Sequence, residues 1–171
     1  MLSSEWLVAS ARYNRWMNDK LYGLAATLSD EARKRDAGAF FKSIHGTFNH
    51  LLVADRVWLA RFRGVPAPSG HMAPGIQSLD QELYQSFDEL RRERARTDDS
   101  LSEWASEVTA EQLEGPLVYA RAGKRQEVPL WWAVAHLFNH QAHHRGQVTT
   151  LFTQQGHDPG STDLFAMLQQ G

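Results

Sequence analysis

The run Pro129-Leu-Trp-Trp-Ala-Val-Ala-His136-Leu-Phe-Asn-His140-Gln-Ala-His143-His144-Arg145-Gly-Gln147 carries histidines at helical spacing. Positions four apart share a face of an α-helix. His136, His140, His143 and His144 thus fall within one stripe of a helical wheel, with Ala133, Leu137, Val148 and Leu151. A polar ring facing apolar surroundings needs a partner, or it costs on the order of 1–3 kcal/mol. Several rings on one face need a shared partner, and a cation with an open coordination position supplies one. The helix is also apolar on a second side, through Trp131, Val134, Phe138 and Phe152, so it needs two partners. One is the interior of a helical bundle; the other is a crossing element or a second subunit, and a two-fold homodimer is the default form of the latter.

Outward from this run, the spacing predicts three more long helices. Tyr13, Met17, Leu21, Leu24 and Leu28 repeat every three or four residues and stop at Ser29-Asp30. A second helix spans 43–62, with Ile44, Phe48, Leu51, Leu52, Trp58, Leu59 and Phe62 on its core face. A third keeps a heptad-like beat through Leu79, Leu83, Phe87, Leu90, Thr97, Leu101, Trp104 and Val108, with Arg91 to Arg94 read as mostly a solvated face. The connection 64–78 holds Pro66, Pro68 and Pro74, is long for a bundle, and is a lid candidate. Between 115 and 128, Leu117-Val-Tyr119 and Gln126-Glu-Val128 flank Arg121-Ala-Gly-Lys124, a small hairpin with a glycine turn. Pro129 fits the first position of the fourth helix, which runs to about Gln155, and Ser161 fits the cap of a short terminal helix. The expected fold is all-α, one domain over 1–171: a four-helix bundle with a hairpin insertion before the last long helix and a short C-terminal helix.

Composition narrows the function classes. The chain of 171 residues has no cysteine, which removes disulfides, thiolate ligands and a cysteine nucleophile and leaves any metal nitrogen and oxygen donors. A net charge of −2 and pI near 6.4 give no nucleic-acid footprint. No apolar run approaches a membrane span, and the first residues show no signal pattern, so a cytoplasmic protein is expected.

A catalytic zinc-type site commonly takes three protein ligands. His71 and His157 fall in loops and read as solvated. His50 lies off the apolar stripe of the second helix, beside Ser43, Thr47 and Ala54, with room to reach a neighbouring helix; His45 is on the opposite flank and is the alternative. Spacing alone favours His50.

Thr47-Phe-Asn-His50-Leu-Leu-Val-Ala-Asp55-Arg56-Val-Trp58-Leu-Ala-Arg61-Phe and Asn139-His140-Gln-Ala-His143-His144-Arg145-Gly-Gln147 closely resemble the DinB family of DinB/YfiT-like metalloenzymes, and Tyr13-Asn14-Arg-Trp16-Met-Asn18 resembles that family's first helix. The resemblance covers nearly the whole chain. It implies a four-helix bundle with a divalent metal on three histidines, which map to His50, His140 and His144. It also implies relatives that are thiol-dependent transferases and isomerases using low-molecular-weight thiols.

Other residues keep two readings each. Asp55, near the middle of the second helix's apolar stripe, either orients a ligating imidazole or forms a buried structural pair with Arg56, Arg12 or an N-terminal asparagine. His136 is a fourth ligand or a hydrogen-bonding residue, and His143 is a pocket residue. Arg145 and Gln147 hold an anionic substrate or cap the hairpin. His140-Gln141-x-x-His144 has zinc-protease spacing, but an amide in the glutamate position cannot act as the base. No catalytic side chain is assigned. The expectation is a metal-dependent enzyme, with zinc, nickel or iron, that activates a thiol or water against a small electrophilic substrate. The alternatives are a stress-associated bundle with a structural or regulatory metal, and a metal-free histidine network.

Overall fold

The computed structural model describes residues 3–69, 71–121 and 123–169; Gly70, in the long connection, and Ala122, in the hairpin turn, lie outside them. Helix α1 (Ser4–Ala26) starts at Ser3, whose hydroxyl accepts from the Trp6 amide. A short α2 (Asp30–Lys34) is capped by Ser29 in the same way. Helix α3 (Ile44–Phe62) follows, with Ser43 accepting from the Gly46 amide at 3.0 Å. The chain turns tightly at 39–42 to reach that cap, and a Cβ on Gly46 would lie 2.2 Å from the Phe41 carbonyl oxygen, so only glycine fits.

Helix α4 (Phe87–Glu107) is capped by Ser86, and α5 (Ala110–Glu114) by a Thr109/Gln112 capping box. Strands β1 (Pro116–Arg121) and β2 (Lys124–Pro129) pair antiparallel from Pro116 opposite Pro129 to Arg121 opposite Lys124, closed by Gly123 at φ 72°. Helix α6 (Leu130–Gln154) runs straight out of β2, and α7 (Leu164–Leu168) ends the chain.

Helix α1 packs on α4 and α6, and α3 packs on the same two. Two apolar clusters fill the space between them. One gathers Leu21, Tyr22, Phe48, Leu52, Leu90, Val148 and Phe152; the other Leu7, Ala11, Leu59, Leu101, Trp104, Val134 and Leu137. Their order along each helix shows that α1 and α6 run one way and α3 and α4 the other. Between the clusters every long helix contributes buried polar residues: Asn14 and Asn18, Asp55, Arg94 and Asp98, Gln141 and Arg145.

Arg94, placed by its sequence neighbours on a solvated face, is the hub of this layer. It reaches Asp55 at 2.7 Å and Asp98 at 2.8 Å. Asn18 donates to both Asp98 oxygens, Gln141 donates to Asp55, and Arg145 donates to Asn14. Two carboxylates and two guanidiniums share the layer, so its charge balances and its donors have acceptors, as buried ions require.

Four sequence expectations need correction. The third helix begins at Phe87, not Leu79, because 79–86, a turn followed by irregular chain, is tied to α3: Asn49 donates to the Tyr84 carbonyl and accepts from the Tyr84 amide, and His45 donates to that carbonyl at 2.9 Å. Within the lid candidate, Ala73 and Ile76 are buried on Val53 and Val57, so this part of the connection is docked on α3. Pro129 is the N-cap of α6 and the last residue of β2, one position before the helix. The N-cap of α7 is Asp163, and Ser161 instead bonds the Asp163 amide from outside the helix. Of the second apolar side of α6, Val134, Phe138 and Phe152 are buried against the interior and Trp131 is partly exposed.

Candidate metal centre

Helix α3 supplies His50 and α6 supplies His140 and His144, and these three meet. The His50 Nε2 lies 3.1 Å from that of His140 and 3.2 Å from that of His144. Both flanking rings are fixed from behind. His50 Nδ1 is 2.8 Å from the Leu79 carbonyl oxygen, and His144 Nδ1 is 2.7 Å from the Gln147 side-chain oxygen. An oxygen that only accepts forces the proton onto Nδ1, so each Nε2 presents a lone pair to the centre. The Phe41 ring stacks on His50 with centroids 3.8 Å apart and limits its rotation.

Burial, then the neighbouring rings of His144 and His50, pushes the His140 imidazole down to about 3. His50 and His144 are also held below their ordinary value, chiefly by burial. All three are therefore neutral near pH 7, the state that ligates a metal. Facing lone pairs at this separation repel unless a cation lies between them. A tetrahedral centre with bonds of ~2.0–2.1 Å has ligand–ligand edges of about 3.3 Å, so the donor set suits a zinc-sized ion with little movement. The three rings open onto a cavity of about 540 Å³, whose wall includes Phe40, Leu79, Asp80, His143 and Gln147.

The other histidines lie outside the cluster. His136 is exposed, stacks edge-on against Trp58 at 5.2 Å, and is held below its ordinary value first by burial of its inner side and then by Arg121 and Arg61. His143 is exposed and contacts the Gln147 amide nitrogen. The four histidines of α6 therefore do not share a buried face; only His140 and His144 point inward. His45 serves the 79–86 segment, and His71 contacts the Ser69 carbonyl oxygen.

Asp55 takes the structural reading, but with Arg94 and Gln141 as its partners rather than Arg56, Arg12 or an asparagine. Arg145 neither faces the cavity nor caps the hairpin. It is buried beneath the site against Asn14 and Gln141. Gln147 orients His144 instead of holding a substrate in this arrangement. The sequence reading did not identify Phe41 or the Leu79 carbonyl. A backbone acceptor leaves no residue-type signal, and Phe41 precedes the helix that carries the motif.

The sequence profile described as the DinB family matches residues 1–170. The chain belongs to the DinB family. This DinB family member is similar to Protein DinB of Bacillus subtilis (strain 168), with 24% identity over 152 residues, 88% of this chain and 87% of that protein. Its fold is similar to the crystal structure of a DinB-like protein from Bacillus cereus ATCC 10987, at a TM-score of 0.63 and 22% identity, covering 89% of this chain and 92% of that one. No helix among the described residues is long and apolar enough to cross a membrane.

Proposed function

We propose that His50, His140 and His144 hold one divalent metal ion, zinc, nickel or iron, and that the chain is a metal-dependent enzyme acting on a small electrophile. The observation that carries this reading is the convergence of three neutral imidazole nitrogens, two of them locked as acceptors, at the floor of a cavity of about 540 Å³. When bound, the cation supplies a Lewis-acidic position at which a thiol or water loses its proton more readily.

The chain's own residues fix the rings, exclude water on the Phe41 side and receive the proton. Asp80 is the carboxylate lining that cavity among the described residues, and a hydrogen bond from Ser78 holds its pKa below the ordinary value, so it is ionised and able to accept. A low-molecular-weight thiol is the preferred nucleophile, in keeping with the family resemblance; water is the second. The opening of the rings onto a cavity favours this reading over a purely structural or regulatory metal, for which a closed four-ligand site is expected.

The experiment is a screen of the metal-loaded protein with low-molecular-weight thiols plus electrophiles, and separately with esters and amides. Turnover that disappears in His140→Ala supports the reading. Equal rates in both proteins, or none in either panel, transfers the assignment to a structural or regulatory metal.

The same proposal takes the four long helices as a four-helix bundle forming one cytoplasmic domain over 1–171. It also includes a homodimer, whose surface falls on exposed apolar residues such as Phe165 and Leu168. Light scattering at micromolar concentration checks this: twice the chain mass is expected, and the chain mass alone removes the dimer.

A further inference from the structure

A second cavity, of about 580 Å³, lies one helical turn along α6 from the metal centre. His136 lines this one and His140 the other, with ring centroids 5.9 Å apart. Its walls are aromatic, from Trp58 on α3, Tyr119 on β1 and Trp132 on α6. Trp132 is 59% exposed, an unusual placement for a large apolar side chain unless it contacts something.

The cavity is also positive. Arg121 lines it, and the Arg61 guanidinium sits 4.6 Å from the Trp58 ring centroid and 4.5 Å from that of Tyr119. Arg61 is half-buried and its Nε has no hydrogen-bond partner; burial holds its pKa below the ordinary value, with Tyr119 opposing and Arg121, a like charge, adding to the shift. Neither arginine has an ion-pair partner among the described residues. Glu127, the one acid of the lining, is already engaged by Arg125 at 2.5 Å. The half-buried Arg61 beside two aromatic faces and the exposed Arg121 thus offer positive charge with no counter-ion, which a carboxylate or phosphate can complete.

We infer that this cavity is a binding subsite for a small molecule carrying a carboxylate or phosphate on a flat or apolar body. The anion pairs with Arg121 in the field of Arg61, and the body covers Trp58 and Trp132. The His136 and His140 rings, 5.9 Å apart, put the two cavities side by side, and on that proximity the subsite is assigned to the non-reacting end of the substrate. That last assignment rests on the proposed enzymatic function; binding itself does not.

The test uses the full chain and three probes of one shape: 2-naphthoate, 2-naphthyl phosphate and the neutral 2-naphthamide. Affinities are measured by calorimetry, and the histidine ring resonances are followed by NMR. At least one anion is expected to bind about tenfold or more tighter than the amide, and the tighter of the two identifies the headgroup. Arg121→Gln and Trp132→Ala, both at exposed positions, are each expected to weaken it by about tenfold, and the His136 ring to shift while His157 does not. His140→Ala is expected to bind the anion as the wild type does, so the subsite survives even if no catalytic activity is found. Equal affinity for all three probes, an unchanged Arg121→Gln, or a stationary His136 resonance overturns the inference.

Discussion

At the residue scale, two of the three converging nitrogens, those of His50 and His144, are aimed by what holds the other side of the ring. The Leu79 carbonyl and the Gln147 side chain fix the tautomers of His50 and His144, as outer partners of metal ligands commonly do. Gln147→Ala therefore frees the His144 ring and is expected to lower metal affinity by about 10–100-fold, read by competition with a chromophoric chelator; unchanged affinity would show that packing alone orients the ring. Asp80 makes a different prediction, because it lines the cavity without belonging to the cluster. Asp80→Asn is expected to keep full metal content while lowering turnover by about 100-fold, the usual scale of general base catalysis. Loss of metal in that variant would make Asp80 part of the binding shell instead. That His50, His140 and His144 come together was legible in the sequence, because i, i+4 spacing and an off-stripe position are properties of residue type and order. Their backbone support was not, since a carbonyl oxygen belongs to every residue alike.

At the element scale, the instructive segment is 79–86, whose Leu79 and Leu83 continue backwards the helical beat of α4. The periodicity is real, but the side chains of His45 and Asn49 bond the Tyr84 backbone and draw the segment along α3. Tertiary hydrogen bonds override a pattern that only propensity supports. The detour matters for function, since it delivers the Leu79 carbonyl to His50.

His45 gives this contact a pH dependence. Burial holds its imidazole below 6.5, with Lys34 adding to the shift, while the Tyr84 carbonyl, Glu82 and Asp30 oppose it. The unfolded chain then takes up a proton near pH 6.5 that the folded chain resists. Stability linked to His45 is complete above that pH and is lost as the pH falls below it. In urea titrations at pH 7.5 and pH 5.5, the wild type is expected to lose more stability than His45→Gln over this interval. Equal losses would remove the link.

At the scale of the whole molecule, a neutral layer of buried charges divides the core into two apolar ends. Each long helix carries its share at a fixed height, so the layer sets the register of all four. Arg94→Met would take away the guanidinium that pairs directly with both Asp55 and Asp98, with Arg145 the remaining cation of the layer. A loss of about 3–5 kcal/mol in urea unfolding is expected, and a loss below about 1 kcal/mol, the scale of an exposed pair, would mean the layer is solvated. The sequence showed Asp55 as an anomaly on an apolar face but not its partner, because Arg94 sits in an Arg-Arg-Glu-Arg run whose composition suggests solvent. The four long helices and the hairpin follow local rules, whereas the short α2 and α5 were not read and the layer depends on four distant segments meeting.

Metal content tests the role of the three converging histidines most directly. The protein is purified without a histidine tag or chelating resin and assayed by elemental analysis beside single alanine variants. About one divalent ion per chain is expected in the wild type, in His45→Ala and in His136→Ala, with a large loss in His50→Ala, His140→Ala and His144→Ala. A metal-free wild type that takes up no divalent ion on dialysis, or a site emptied by His45→Ala or His136→Ala but not by His50→Ala, would contradict it.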